Sequence, residues 1–158
     1  MRYPTCILVG MAGSLLVVAI RADEPAGEKS KKDDLATLQG TWVVESQIEN
    51  GEKSEPGDRP LELEIKDKRA TVRIGAGTAQ LNIRIDPTTT PKIIDFQLIP
   101  SDAADAKQEP IEGIYELDDK GRLRICIKPP SPMRERPTAF ESKTGSNTVL
   151  VTLRRKDG

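Results

Sequence analysis

From Trp42 onward, apolar and polar residues alternate with a period of two, the spacing that gives a strand one buried and one wet face. Leu61, Leu63 and Ile65 alternate with Glu62, Glu64 and Lys66. Ala70, Val72 and Ile74 alternate with Thr71 and Arg73, and Leu81, Ile83 and Ile85 with Asn82 and Arg84. The pattern continues through Ile94, Phe96 and Leu98, then Gly113, Tyr115 and Leu117, then Leu123, Ile125 and Ile127. With a first strand over 42–50 and a last over about 148–155, eight strands of antiparallel type are expected.

Short connections predict that consecutive strands pair as a meander. Residues 75–77 and 118–121 carry the Gly and Asp residues that tight hairpins need. Three connections, 51–60, 100–110 and 129–137, are longer and rich in Pro, and strand counting puts all three at one end. The short connections at 67–68, 86–91 and 118–121 fall at the other. The expected fold is all-β, an antiparallel up-and-down barrel of about eight strands, because closure removes exposed edges. Residues 137–143 are expected to be irregular or a short edge segment, since a ninth strand in the ring would force a parallel closing pair.

The N-terminal quarter differs. Arg2, the apolar run 6–20 and Arg21-Ala22-Asp23 match a signal peptide cleaved after Ala22, and the run is short for an uncleaved anchor helix. Residues 1–22 are thus assigned to a signal peptide, 23–32 to a flexible charged spacer and 33–158 to the barrel domain. The spacer has almost no large apolar side chains with which to order itself. Asp33 or Asp34 is placed to cap a short helix that turns Leu35 and Leu38 to one face and ends at Gly40. An exported protein, periplasmic or extracellular, is the implied location.

Charge and cysteine count narrow the chemistry. Loss of Arg2 and Arg21 from a chain with 24 Lys plus Arg and 25 Asp plus Glu leaves a net charge of about −3, with no basic footprint for nucleic acid. Only Cys126 remains after cleavage, so no intramolecular disulfide can form; it is expected to be a small, partly buried hydrophobe rather than a thiol for an intermolecular bridge or a nucleophile, since no histidine is present to activate it. The chain has no histidine, which excludes Ser-His-Asp and Cys-His catalysis and His-ligated zinc or haem. No nucleotide-binding glycine motif occurs. Glu62, Glu64, Glu112 and Glu116 lie on the polar faces of their strands, so no catalytic carboxylate pair is assigned.

Gly40-Thr41-Trp42, at the head of the first strand, resembles the Gly-x-Trp signature of lipocalins. A fuller likeness joins Leu38-Gln39-Gly40-Thr41-Trp42, Gly113-Ile114-Tyr115-Glu116-Leu117, the strand Leu123 to Cys126, the segment Arg136 to Phe140 and the basic end Leu153-Arg154-Arg155. In that order they resemble the lipocalin-like domain family that recurs behind signal peptides in planctomycete bacteria. The likeness covers about residues 34–156 and implies a lipocalin-like barrel whose base is closed by the helix. It also implies that an arginine of the last strand, Arg154 or Arg155, lies over Trp42. Gly40, Trp42 and that arginine would then be structural, and any ligand would enter from the opposite end.

The remaining candidate site is the barrel interior. Its inward set is Leu, Ile, Val and Ala, with Phe96, Tyr115 and Phe140 as the aromatic candidates to line a cavity. Arg134 and Arg136, in Arg134-Glu135-Arg136-Pro137, are candidates to meet an anionic group at the mouth; Arg136 could instead fix the loop through carbonyl hydrogen bonds. The expected function is binding of a small apolar molecule, without cofactor, metal, nucleic acid or stable membrane span. The alternative is a cell-envelope interaction or structural module whose barrel is filled by its own side chains.

Overall fold

The computed structural model describes residues 26–156 except 56, 58–60, 101–108 and 131–134. One helix, α1 (Ala26–Leu38), precedes nine strands: β1 (Gly40–Glu49), β2 (Glu52–Ser54), β3 (Leu61–Lys66), β4 (Arg69–Ile74), β5 (Gly77–Asp86), β6 (Lys92–Leu98), β7 (Ile111–Leu117), β8 (Leu123–Lys128) and β9 (Val149–Arg155). From β3 to β9 each strand pairs antiparallel with the next, and β1 pairs with both β3 and β9. Eight strands therefore close an antiparallel barrel, as the alternation predicts. The ninth, β2, is a three-residue addition hairpinned to the end of β1 within a connection expected to lack strands.

The inward positions are the predicted ones. Trp42, Leu63, Ile65, Ala70, Leu81, Ile83, Ile85, Ile94, Phe96, Tyr115, Leu123, Ile125 and Leu153 form one buried core with Leu38 of the helix. Two predicted inward residues fall outside it: Ile74 and Leu117, at strand ends, are exposed. No strand forms over 137–143, which runs as irregular chain.

α1 is longer than the sequence suggests. It begins at Ala26, inside the expected spacer, so Asp33 and Asp34 lie within the helix rather than at its cap. Ala, Glu and Lys are good helix formers. A stretch too polar to order alone can extend a turn already nucleated by packing Leu35 and Leu38 on the barrel. Among the described residues no helix is long and apolar enough to cross a membrane.

A bulge in β1 produces a second apolar cluster. Register with β9 slips between Val44 and Ser46, so that Ile48 pairs with Leu150 and Gln47 with Val151. Ile48 is thereby turned to the outer face, where Ile114, Cys126 and Leu150 are buried beneath Phe140. The segment 137–148 straps this patch to the barrel wall: Ser142 Oγ donates to the Thr148 carbonyl at 2.6 Å, and Thr148 Oγ1 to that of Glu141 at 3.1 Å.

Candidate functional site

The two ends of the barrel are built differently. At the trim end, Leu38 and Trp42 are fully buried, and the indole Nε1 donates to the Leu38 carbonyl at 2.9 Å. Arg155, not Arg154, covers the ring, its guanidinium carbon 4.6 Å from the ring centroid. That guanidinium also donates to the carbonyls of Thr37 and Gln39, the orphan acceptors at the helix end. Pairing explains the choice: Arg155 is the partner of Trp42 and shares its inward face, whereas Arg154 pairs with Val43 and points out. Gly40 completes the lock. Its φ is +115°, and a Cβ there would lie 3.0 Å from Arg155 Nη1.

A second clamp holds the helix to the same end. The Asp34 carboxylate accepts from Tyr115 Oη at 2.8 Å and from Lys92 Nζ at 2.7 Å. Tyr115 is 1% exposed. Burial, and then its hydrogen bond to Asp34, push the phenol above its ordinary pKa. Tyr115 is thus a fastening of the closed base, which corrects its expected place as a cavity liner.

Two other expected contacts are also relocated. Arg136 lies on the outer wall, where Nη1 donates to Asp95 at 2.6 Å and to the Gly113 carbonyl at 2.8 Å. Its role is to anchor the strap that follows it, with Glu112 a further 3.6 Å partner. Phe140 lies outside as well, with the Arg124 guanidinium 5.1 Å from its ring centroid. The bulge in β1 and the length of the strap, neither visible as a hydrophobic period, create the outer patch that Phe140 covers. Arg134 lies outside the described residues.

What remains inside, at the loop-bearing end, is a cavity of about 330 Å³. It is lined by Leu61, Leu63, Val72, Ala79, Leu81, Phe96, Leu98, Ile111, Ile125, Ile127, Val151 and Leu153. Every lining residue is apolar. Of the three predicted aromatic liners only Phe96 is present. Gln47, as partner of Val151, shares the inward face just above this lining and hydrogen-bonds Glu49 at 3.3 Å. The arrangement offers dispersion and desolvation to a guest, with polar groups confined to the rim.

Among the described residues, reactive chemistry is not assembled around the cavity. Cys126 is fully buried on the outer wall, its Sγ 3.5 Å from the Glu141 carbonyl, and burial raises its thiol pKa. Among the described residues no three Cys, Asp or Glu side chains gather as a metal site. Compared with protein-family models, curated proteins and solved structures, the chain has no match.

Proposed function

We propose that the protein is an exported lipocalin-like barrel that holds a small, wholly apolar molecule in the cavity beneath its long connections. The observation that carries this reading is the lining: about 330 Å³ bounded only by hydrocarbon and phenyl groups. That volume falls at the small end of ligand pockets, which span about 300–1,000 Å³. A guest with a polar group in its middle would lose that group's hydrogen bonds to water, at a cost of about 1–3 kcal/mol. The favoured guest is therefore a compact hydrocarbon or a short acyl chain, any polar end of which lies at the Gln47–Glu49 rim.

The signal-peptide pattern supports export, and the resemblance to the planctomycete lipocalin-like domains supports entry opposite Trp42. Binding rather than catalysis is the role this lining suits, because no titratable side chain lines the cavity among the described residues.

Native mass spectrometry of protein purified from its own source tests the reading. A single adduct that solvent extraction removes is the expected result. Bare protein from every preparation, with no uptake of apolar compounds afterwards, would favour the envelope interaction module instead.

A further inference from the structure

A second cavity of about 380 Å³ lies at the opposite end, between α1, the β3–β4 turn and β5. Leu35, Ile83 and Ile85 form its apolar floor, and Lys31, Lys68 and Arg84 stand on its walls. Among the described residues none of its lining is acidic. Elsewhere on the barrel many cations have a carboxylate partner, among them Arg73 with Glu64, Arg122 with Asp118, Arg136 with Asp95 and Lys156 with Glu62. Lys31, Lys68 and Arg84 have no carboxylate within ion-pair distance among the described residues, and Lys31 and Arg84 reach Asp86 only through longer-range attraction. Asp86, at the edge, is the counter-charge nearby. Its carboxylate is committed first to the Thr88 hydroxyl and amide. Lys32 also lines the groove and has a contact of its own, so Lys31, Lys68 and Arg84 are the cations that face an incoming anion.

Strand geometry adds a donor. The β4–β5 ladder ends at the pair Arg69 and Asn82, while β5 continues to Asp86 beside β6 alone. The Ile83 amide points away from β6 and is used by the Lys68 carbonyl at 2.8 Å. Ile85, two residues on, aims its N–H to the same side, beyond the end of β4 and into the groove. A ladder donor without a ladder partner, three cations and an apolar floor are thus juxtaposed.

We propose that this groove binds the anionic head of a short-chain amphiphile, a phosphate monoester or carboxylate whose alkyl stem lies on Leu35, Ile83 and Ile85. The head would accept from the Ile85 N–H and from Lys31, Lys68 and Arg84, the charge-assisted geometry that favours oxyanions. The site is separate from the apolar cavity and stands whether or not that cavity takes a guest.

Amide NMR of the full mature chain tests it, with hexyl phosphate, hexanoate, inorganic phosphate and hexanol as probes. Hexyl phosphate is expected to move the Ile85 amide saturably, whereas hexanol leaves it in place. The double variant Lys68→Gln/Arg84→Gln, at two exposed positions, should weaken hexyl phosphate by roughly tenfold or more. Hexanoate binding as well as hexyl phosphate would identify a carboxylate source, and its failure a phosphate one. Inorganic phosphate binding as tightly as hexyl phosphate would overturn the amphiphile assignment. No saturable shift at Ile85, or an unchanged affinity in the double variant, would overturn the site.

Discussion

Arg155 lies over the indole of Trp42 with 4.6 Å between guanidinium carbon and ring centroid, joining the end of the last strand to the start of the first. Because the same guanidinium caps the carbonyls of Thr37 and Gln39, one side chain holds helix, β1 and β9 together. Arg155→Ala should therefore lower unfolding free energy by about 1–3 kcal/mol, from the lost ring contact and two charged hydrogen bonds. Arg154→Ala, on the exposed face, should stay within about 0.5 kcal/mol. Urea unfolding followed by Trp42 emission distinguishes them; equal losses would mean that the ring contact contributes nothing.

Asp34 is the only carboxylate at hydrogen-bond distance from the buried Tyr115 hydroxyl among the described residues. Asp34→Ala leaves that hydroxyl and Lys92 without their partner, and a cost of about 1–3 kcal/mol is expected. Amide exchange in α1 should accelerate more than in the strands. Uniform acceleration would show that the clamp does not act on the helix.

The same contact gives a pH dependence. Burial and the Asp34 hydrogen bond raise the folded phenol above the ordinary value of about 10. The folded chain keeps a proton that the unfolded chain releases. This contribution is full below about pH 10 and is lost as pH rises toward the folded value, by at most about 1.4 kcal/mol per pH unit. Tyr115→Phe should be flatter than wild type above pH 10, whatever its stability at neutral pH. Parallel curves would contradict the raised value.

Gly113 leaves no room for a side chain: a Cβ there would meet the Cys126 carbonyl at 2.8 Å and Ile127 Cγ2 at 2.9 Å. Gly113→Ala is expected to cost about 1–3 kcal/mol by overpacking. Thermal unfolding that leaves Tm unchanged would show that β7 and β8 can separate there freely.

The strap predicts thiol chemistry. Phe140 covers the outer cluster that contains Cys126. Phe140→Ala or Arg136→Ala should speed the reaction of Cys126 with a disulfide reagent under native conditions, through local opening rather than global unfolding. A rate that tracks global stability alone would argue against a separately opening strap.

Much of the barrel is legible in the sequence because its signal is simple. A period of two names the inward residues of each strand, and turn residues give the meander and the end each connection occupies. The choice of Arg155 over Arg154 is a matter of parity that requires the register of β1 on β9. The misplacements have the same origin. Residue type alone points Tyr115 and Phe140 to the interior, yet one reaches down to Asp34 and the other folds back over an outer face made apolar by a bulge. Lys31, Lys68 and Arg84 lie far apart in sequence and look like ordinary surface charges until the end of β4 leaves a gap beside β5. The alternation points to the barrel interior but leaves open whether it holds a cavity or is filled, because that depends on how facing side chains pack, which alternation does not encode.

The central claim, a guest in the apolar cavity, is tested most directly by titrating a neutral naphthylamine dye into wild type and Ala79→Phe. Ala79 lines the cavity, and a phenyl group there would occupy it without touching the Trp42 base. Saturable binding of one dye per chain is expected in wild type, weakened by roughly tenfold or more in Ala79→Phe, with the variant folded and at least as stable. Lys68→Gln/Arg84→Gln should bind the dye as wild type does. Absence of saturable binding, or equal affinity in wild type and Ala79→Phe, would contradict the account.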